Sequence, residues 1–540
     1  MSTVPSIELP VEIWRKILEP TLPDQGAAIS LVNQMFFEIA IARRYKSVSW
    51  GFMRRDNARG LHALKSPLVS RYIQELCIHI TPSNLFAPPP KPTLRGRIFA
   101  KNTTPILPEV AKNEAQEFLE GFTDPVDLSG RFPSLRLLAI SATSGPWELR
   151  HYHPFQMIFK APIRQATQSV AATVRILVLT IPLELYRDGV SACDLNFPLL
   201  EDLHMEFHVA YLTTDYEGIF TTSVVPFVNR HSQSLTKLSF GTTQPRDDCP
   251  QRVYTFEALM GGLSHIQGLL SFTFYWFILP TMEPSLHKLS QFIHAHSATL
   301  SKLTLSLFHS FPVGPRSHFV RNMKLSFREI SRFYTPSTLF SHRPFTEALQ
   351  SCRMLKKLDC TLLGQDSFRL NDATPFLLWF PTLKSAQTLT TLHLRYNRFN
   401  QADIIKLVSS ADLSSLRDLS IRCWSLNVTL FDIFADRLGS LQELRVSISG
   451  ISTRASPSEV SVPQEQLGPD SPFLLDLQGS SYPGWMSLTA LYLPLEDEEA
   501  LKARRYMACC WGSWEEECWL SESQFPETFP KLQTFGAKIN

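Results

Sequence analysis

A six-residue pattern, apolar-x-x-apolar-x-apolar, returns along most of this chain and constrains its fold more than any other feature. Clear copies begin at Leu135 (LRLLAI), Val174 (VRILVL), Leu200 (LEDLHM), Leu235 (LTKLSF), Leu300 (LSKLTL), Leu355 (LKKLDC), Leu389 (LTTLHL), Leu416 (LRDLSI), Leu441 (LQELRV) and Leu488 (LTALYL), with weaker ones at Ile73, Leu269 and Leu532. The last two apolar positions of each copy are two apart, as in a strand with one buried face. Between copies the period turns helical. Phe256, Leu259, Met260, Leu263 and Ile266 are spaced for a helix, as are Leu286, Leu289, Phe292, Ile293 and His296, and again Ile404, Ile405, Leu407 and Val408. One strand and one helix per unit of roughly 25 to 45 residues predict an α/β solenoid, a curved parallel sheet with helices on its outer face. An α/β domain whose buried strands mimic the motif is the alternative; the recurrence of the copies favours the solenoid.

Insertions interrupt the array near residues 81–134, 307–345 and 451–487. The first holds the Pro-rich stretch Pro82 to Pro108, which cannot sit in a central strand, and a helix-like stretch from Glu109 to Phe122. The second mixes His, Arg, Phe and Ser and reads as a surface loop with a short helix. Ser452 to Pro472, rich in Ser, Pro, Glu and Gln, is expected to be disordered. Residues 495–540, with Trp511, Trp514 and Trp519, are expected to cap the open end of the array.

Ahead of the repeats, residues 1–50 read as a small all-helical docking module. Pro10 opens a helix where its missing N–H costs nothing, Glu12 stands where the helix dipole favours an anion, and Ile13, Ile17 and Leu18 share a face. Ile29, Val32, Phe36 and Ile39 form a second apolar stripe. So small a piece does not bury all of this surface alone, which points to a partner. The run Leu9-Pro10-x-Glu12-Ile13, the aliphatics that follow and the Val/aromatic helix resemble the F-box. Phe36 stands where that family usually has Trp. The resemblance implies that Leu9, Pro10, Ile13, Ile17, Leu18, Val32 and Phe36 contact a Skp-type adaptor, and through it a cullin/RING ubiquitin ligase. The repeats of residues 51–540 resemble the irregular leucine-rich repeats behind many F-boxes, notably fungal ones. The consensus Asn after the strand appears fully only at Asn397.

The remaining classes are narrowed by composition. The chain has 540 residues, with 52 Lys and Arg against 50 Asp and Glu, so no global field argues for nucleic acid or an anionic membrane. Met1-Ser2-Thr3-Val4-Pro5 lacks a charged and apolar leader pattern, and the longest apolar run is too short to span a bilayer. A soluble protein of the cytoplasm or nucleus is expected. The nine cysteines form no C-x-x-C pair and fit reduced, mostly buried thiols. No phosphate-binding loop, nucleophile elbow or H-E-x-x-H helix is present, so no catalytic residue, cofactor or metal is assigned. His204-Met205-Glu206-Phe207-His208 is better read as surface polar residues of a strand, since its outer imidazoles lie about 13 Å apart. His294 and His296 diverge on a helix.

Function is therefore expected from surfaces. The residues between the buried positions map the exposed face: Leu137, Ala139, Ser141, Ile176, Val178 and Thr180 are apolar to neutral. Asp202, His204 and Glu206 are acidic, and Lys302, Lys357, Asp359, His393, Arg395, Asp418, Arg422, Glu443 and Arg445 bring positive charge forward. His393, Arg395, Arg422 and Arg445 are the candidate substrate-binding residues. They are expected to line up as adjacent rungs and suit an anionic, even phosphorylated, segment. Asp418 and Glu443 stand where they could pair with the arginines and leave a neutral ladder. The expected function is the substrate-recognition subunit of an SCF-type (Skp-cullin-F-box) ubiquitin ligase. The alternative is a repeat scaffold without ubiquitin transfer.

Overall fold

The computed structural model describes residues 34–51, 66–80, 132–142, 170–187, 196–208, 215–242, 255–278, 283–309, 340, 342–363, 374–423, 426–448, 482, 485, 487–492 and 534–536. Leu9, Pro10, Ile13, Ile17, Leu18 and Val32 lie outside them, as do the Pro-rich stretch, Ser452 to Pro472 and the tryptophans of the expected cap. The chain divides into two compact units. The first contains the described residues up to His208 together with Thr222–Ser234, and the second contains Asp215–Thr221 and the described residues from Leu235 onward.

In the first unit, helix α1 (Gln34–Arg44) leads into a parallel sheet of β1 (Ser47–Gly51), β2 (Glu75–Ile80), β3 (Leu137–Ala142), β4 (Ile176–Pro182) and β5 (Asp202–His208), each paired with the next. Arg43 and Arg44 close α1 where the dipole favours cations. The boundary drawn at residue 50 falls inside β1. Val48 is a buried strand residue and the sheet begins within the stretch expected to be all helical. Leu76, Leu138, Leu177 and Leu203 meet in one register row, and Ile78, Ile140, Leu179 and Met205 in the next, all essentially without solvent exposure.

The second unit continues the same grammar with β6 (Lys237–Thr242), β7 (Ser271–Ile278), β8 (Lys302–His309), β9 (Lys357–Leu363), β10 (Thr391–Phe399), β11 (Asp418–Cys423), β12 (Glu443–Ile448), β13 (Ala490–Tyr492) and β14 (Thr534–Gly536), again parallel and in chain order. Every repeat copy becomes a strand, and β14 lies within the expected cap. One backbone device recurs at each step from β6 to β13. The carbonyls of Thr236, Leu270, Ser301, Lys356, Thr390, Arg417 and Gln442 each accept two N–H groups from the next copy, at 2.7 to 3.1 Å. The second residue of each copy thus sets the register of the copy that follows.

Helices α2 (Val225–Arg230), α3 (Glu257–Gly262), α4 (Glu283–Ala295), α5 (Arg343–Ser351), α6 (Thr374–Trp379), α7 (Gln401–Ser410) and α8 (Val428–Arg437) connect strands. They pack on the leucine face: Phe272 of β7 meets Phe292 of α4 with ring centroids 4.9 Å apart. Helix α3 is shorter than its spacing predicts. Gly261 and Gly262 weaken the helix and Leu263 turns to an extended conformation, while Ile266 is buried from the loop beyond. The expected surface loop of residues 307–345 starts and ends in regular structure, because β8 runs to His309 and α5 starts at Arg343.

Candidate functional site

On each strand the residues between the leucines point to the opposite face, which is apolar to neutral on β3 and β4 and polar on β5. In the first unit this face carries His79, whose Nδ1 lies 2.8 Å from Ser141 Oγ on the neighbouring strand. It also carries the trio Asp202, His204 and Glu206. The trio departs from the surface reading, since Glu206 is 2% exposed. Burial depresses His204 to about 4 against the opposing charge of Asp202, and burial depresses His208 to about 4 as well. Both imidazoles are therefore neutral in the folded chain near pH 7.

In the second unit the polar face is a charge map with a fixed register. The first row reads Lys237, Ser271, Lys302, Lys357, Thr391, Asp418 and Glu443 on β6 to β12. The second row includes Asp359, His393, Ser420 and Arg445 on β9 to β12. His393 is held from both sides. Its Nδ1 lies 3.3 Å from Asp359 Oδ2 on β9, and its Nε2 lies 2.8 Å from Asp418 Oδ2 on β11. Two carboxylates can only accept, so both ring nitrogens donate and the imidazole is protonated. Burial works against that charge, yet the hydrogen bonds and charges of Asp359 and Asp418 outweigh it and raise the imidazole above its ordinary value. Arg445 is likewise engaged within its own strand, its Nε donating to Glu443 Oε1 at 2.6 Å.

The four candidate binding residues do not form one ladder. His393 and Arg445 share a row with Ser420 between them, whereas Arg422 pairs in register with Ser447, two residues further along. Arg395 lies in β10 where the pairing with β11 shifts register between Leu394 and Phe399, and its side chain is outside the described residues. The cause is local: β10 is longer than β11, and the extra residues leave the ladder before Phe399 rejoins it at Cys423. Phe36 belongs to α1, its side chain likewise outside the described residues; its neighbour Phe37 is 47% exposed.

A pair of histidines escapes a reading based on motifs. His231 follows α2 and His296 follows α4, and each is buried. Nδ1 donates to the carbonyl four residues back, Phe227 or Phe292, at 2.8 Å. Nε2 then accepts a backbone N–H from the loop ahead of an earlier strand, Phe197 at 3.0 Å or Ile266 at 2.9 Å. Burial is the main reason both lie below the ordinary imidazole value. The repeated strings His231-Ser-Gln-Ser-Leu235 and His296-Ser-Ala-Thr-Leu300 are the signal that marks them. His294, by contrast, is exposed, with Nδ1 3.2 Å from Ser351 Oγ.

Among the described residues no group of three or more His, Cys, Asp or Glu is arranged to hold a metal ion, and no helix is long and apolar enough to cross a membrane. Cys352, Cys360 and Cys423 are buried free thiols; burial pushes Cys352 up to about 12 and Cys360 higher still. What the described polar faces offer is a broad array of fixed charges suited to binding. No protein-family model matches the chain, and no curated protein matches it.

Proposed function

We propose that the chain is the substrate-recognition subunit of an SCF-type ubiquitin ligase, with an F-box at its start and a leucine-rich-repeat-like solenoid behind it. The observation that carries the reading is the pairing of the Leu9-Pro10-x-Glu12-Ile13 run with parallel strands laid side by side in chain order within each unit, which turn the residues between the leucines to one face. Leu9, Pro10, Ile13, Ile17, Leu18, Val32 and Phe36 would enter a Skp-type adaptor, which brings a cullin/RING ligase. The polar face would hold a protein substrate. Its contribution is proximity, keeping substrate lysines beside a separate conjugating enzyme.

Affinity purification of the full chain tests this. Wild type should capture a Skp-type adaptor, and Ile13→Asp should lose it at least tenfold, because an unpaired charge in an apolar interface costs several kcal/mol. Equal capture by both proteins, or by neither, would remove the ligase assignment.

A further inference from the structure

We propose that the row Lys237, Lys302 and Lys357, on the polar face of the second unit, binds an acidic segment of a partner protein lying across strands β6 to β9. The inference rests on the polar face being a recruiting surface, and moves the anion-binding position away from the arginines of β11 and β12.

Further along the face, Asp359 and Asp418 hold His393, and Glu443 holds Arg445. With His393 protonated, these five groups carry a formal net charge of −1, three carboxylates against two cations. In that cluster both cations are already engaged by carboxylates. Lys302 and Lys357 differ: they are direct register partners on β8 and β9, and neither is in an ion pair among the described residues. Asp359 is two residues from Lys357 on the same strand face, and would be its natural partner had His393 not engaged it.

Like charges directly opposed on neighbouring strands destabilise a sheet, by an amount of about 0.2–1 kcal/mol. Sheet stability alone therefore disfavours this pair, and β7 and β10 show neutral residues, Ser271 and Thr391, at the same row position. Lys237 extends the row on β6, with Ser271 between it and Lys302. Lys237 and Lys302 are exposed and Lys357 is half-buried. Across three strand steps the row spans roughly 14 Å, the reach of a short extended peptide carrying several carboxylates. In the adjoining row Ser239, Thr273 and Thr304 are neutral and the row ends on β9 at Asp359, whose carboxylate is turned to His393.

The test uses the full chain and a fluorescein-labelled poly-glutamate peptide, read by anisotropy, with poly-glutamine as the uncharged control. Wild type should bind poly-glutamate saturably and lose affinity as salt is raised. Lys302→Gln with Lys357→Gln should weaken binding by about tenfold, whereas Arg422→Gln with Arg445→Gln should change it less than about twofold. Glutamine at both lysines removes a like-charge contact, so the variant keeps its fold, and a thermal melt checks this. Equal binding by wild type and the lysine variant overturns the proposal, as does failure of wild type to bind poly-glutamate. An oligonucleotide that outcompetes poly-glutamate through the same lysines overturns the acidic-protein occupant. Adaptor capture, read on the same preparations, tests the ligase assignment independently; its loss from wild type leaves the lysine dependence of peptide binding to decide this proposal.

Discussion

His231 and His296 are buried and His393 half-buried, their charge states are opposite, and in each case the partners dictate the state. A carbonyl on Nδ1 and an N–H on Nε2 require the neutral ring at His231 and His296; two carboxylates require the protonated ring at His393. Replacing His296 with Leu strands the Ile266 N–H in the core, a loss of about 1–3 kcal/mol that urea unfolding of wild type and variant would measure. The pH signs are opposed. A raised folded value at His393 contributes stability that is present below its unfolded value near 6.5 and is lost as pH rises through the folded value. The imidazole carbon shifts of His393 in NMR should therefore titrate later than those of an exposed histidine, and Asp359→Asn should bring the midpoint down. An unshifted midpoint would dissolve the two-carboxylate account.

At the scale of elements, the join between α7 and α8 shows how neighbouring repeats are fixed side by side. Asn427, at the N-cap of α8, accepts the Leu430 N–H at 3.2 Å while exchanging two amide hydrogen bonds with Gln401, the first residue of α7, at 2.9 and 3.2 Å. Asn400 caps α7 through a reciprocal pair with Asp403. Asn427→Ala removes a cap and a buried amide pair together and should cost about 2 kcal/mol; Gln401→Ala should cost less, and the double variant less than the sum, since both act through one pair. Additive losses in thermal unfolding would show that the pair does not couple the helices. The strands were legible in the sequence because burial on one face has a period of two that Leu76, Leu138 and Leu203 obey. Cross-strand partnerships were not. Asp418 was readable as a carboxylate near arginines, yet its partner is His393, diagonal to it on β10, and that choice depends on register and side-chain reach that no linear pattern encodes. Helix α3 likewise had the right apolar spacing, but its glycines ended it early.

At the scale of the whole molecule, the histidines divide unevenly between the two units. Among the described residues the first unit holds His204, His208 and His231 below their ordinary values, while the second holds His296 lowered and His393 raised. A lowered folded value means that the unfolded chain takes up the proton first. Stability is then complete above pH 6.5 and is lost as pH falls through the folded value. For His204 and His208, a drop from 6.5 to about 4 corresponds to a loss on the order of 3 kcal/mol each once pH is below both values. His393 works the other way, since acid keeps it charged and paired. The first unit should therefore open before the second as pH falls from 6.5 toward 4. Hydrogen exchange read by mass spectrometry should show β3 to β5 losing protection while β9 to β11 retain theirs, and His204→Phe with His208→Phe should move that loss to lower pH. A simultaneous loss of protection in both units would mean that they unfold as one cooperative block, and that the burial of these imidazoles does not set the order.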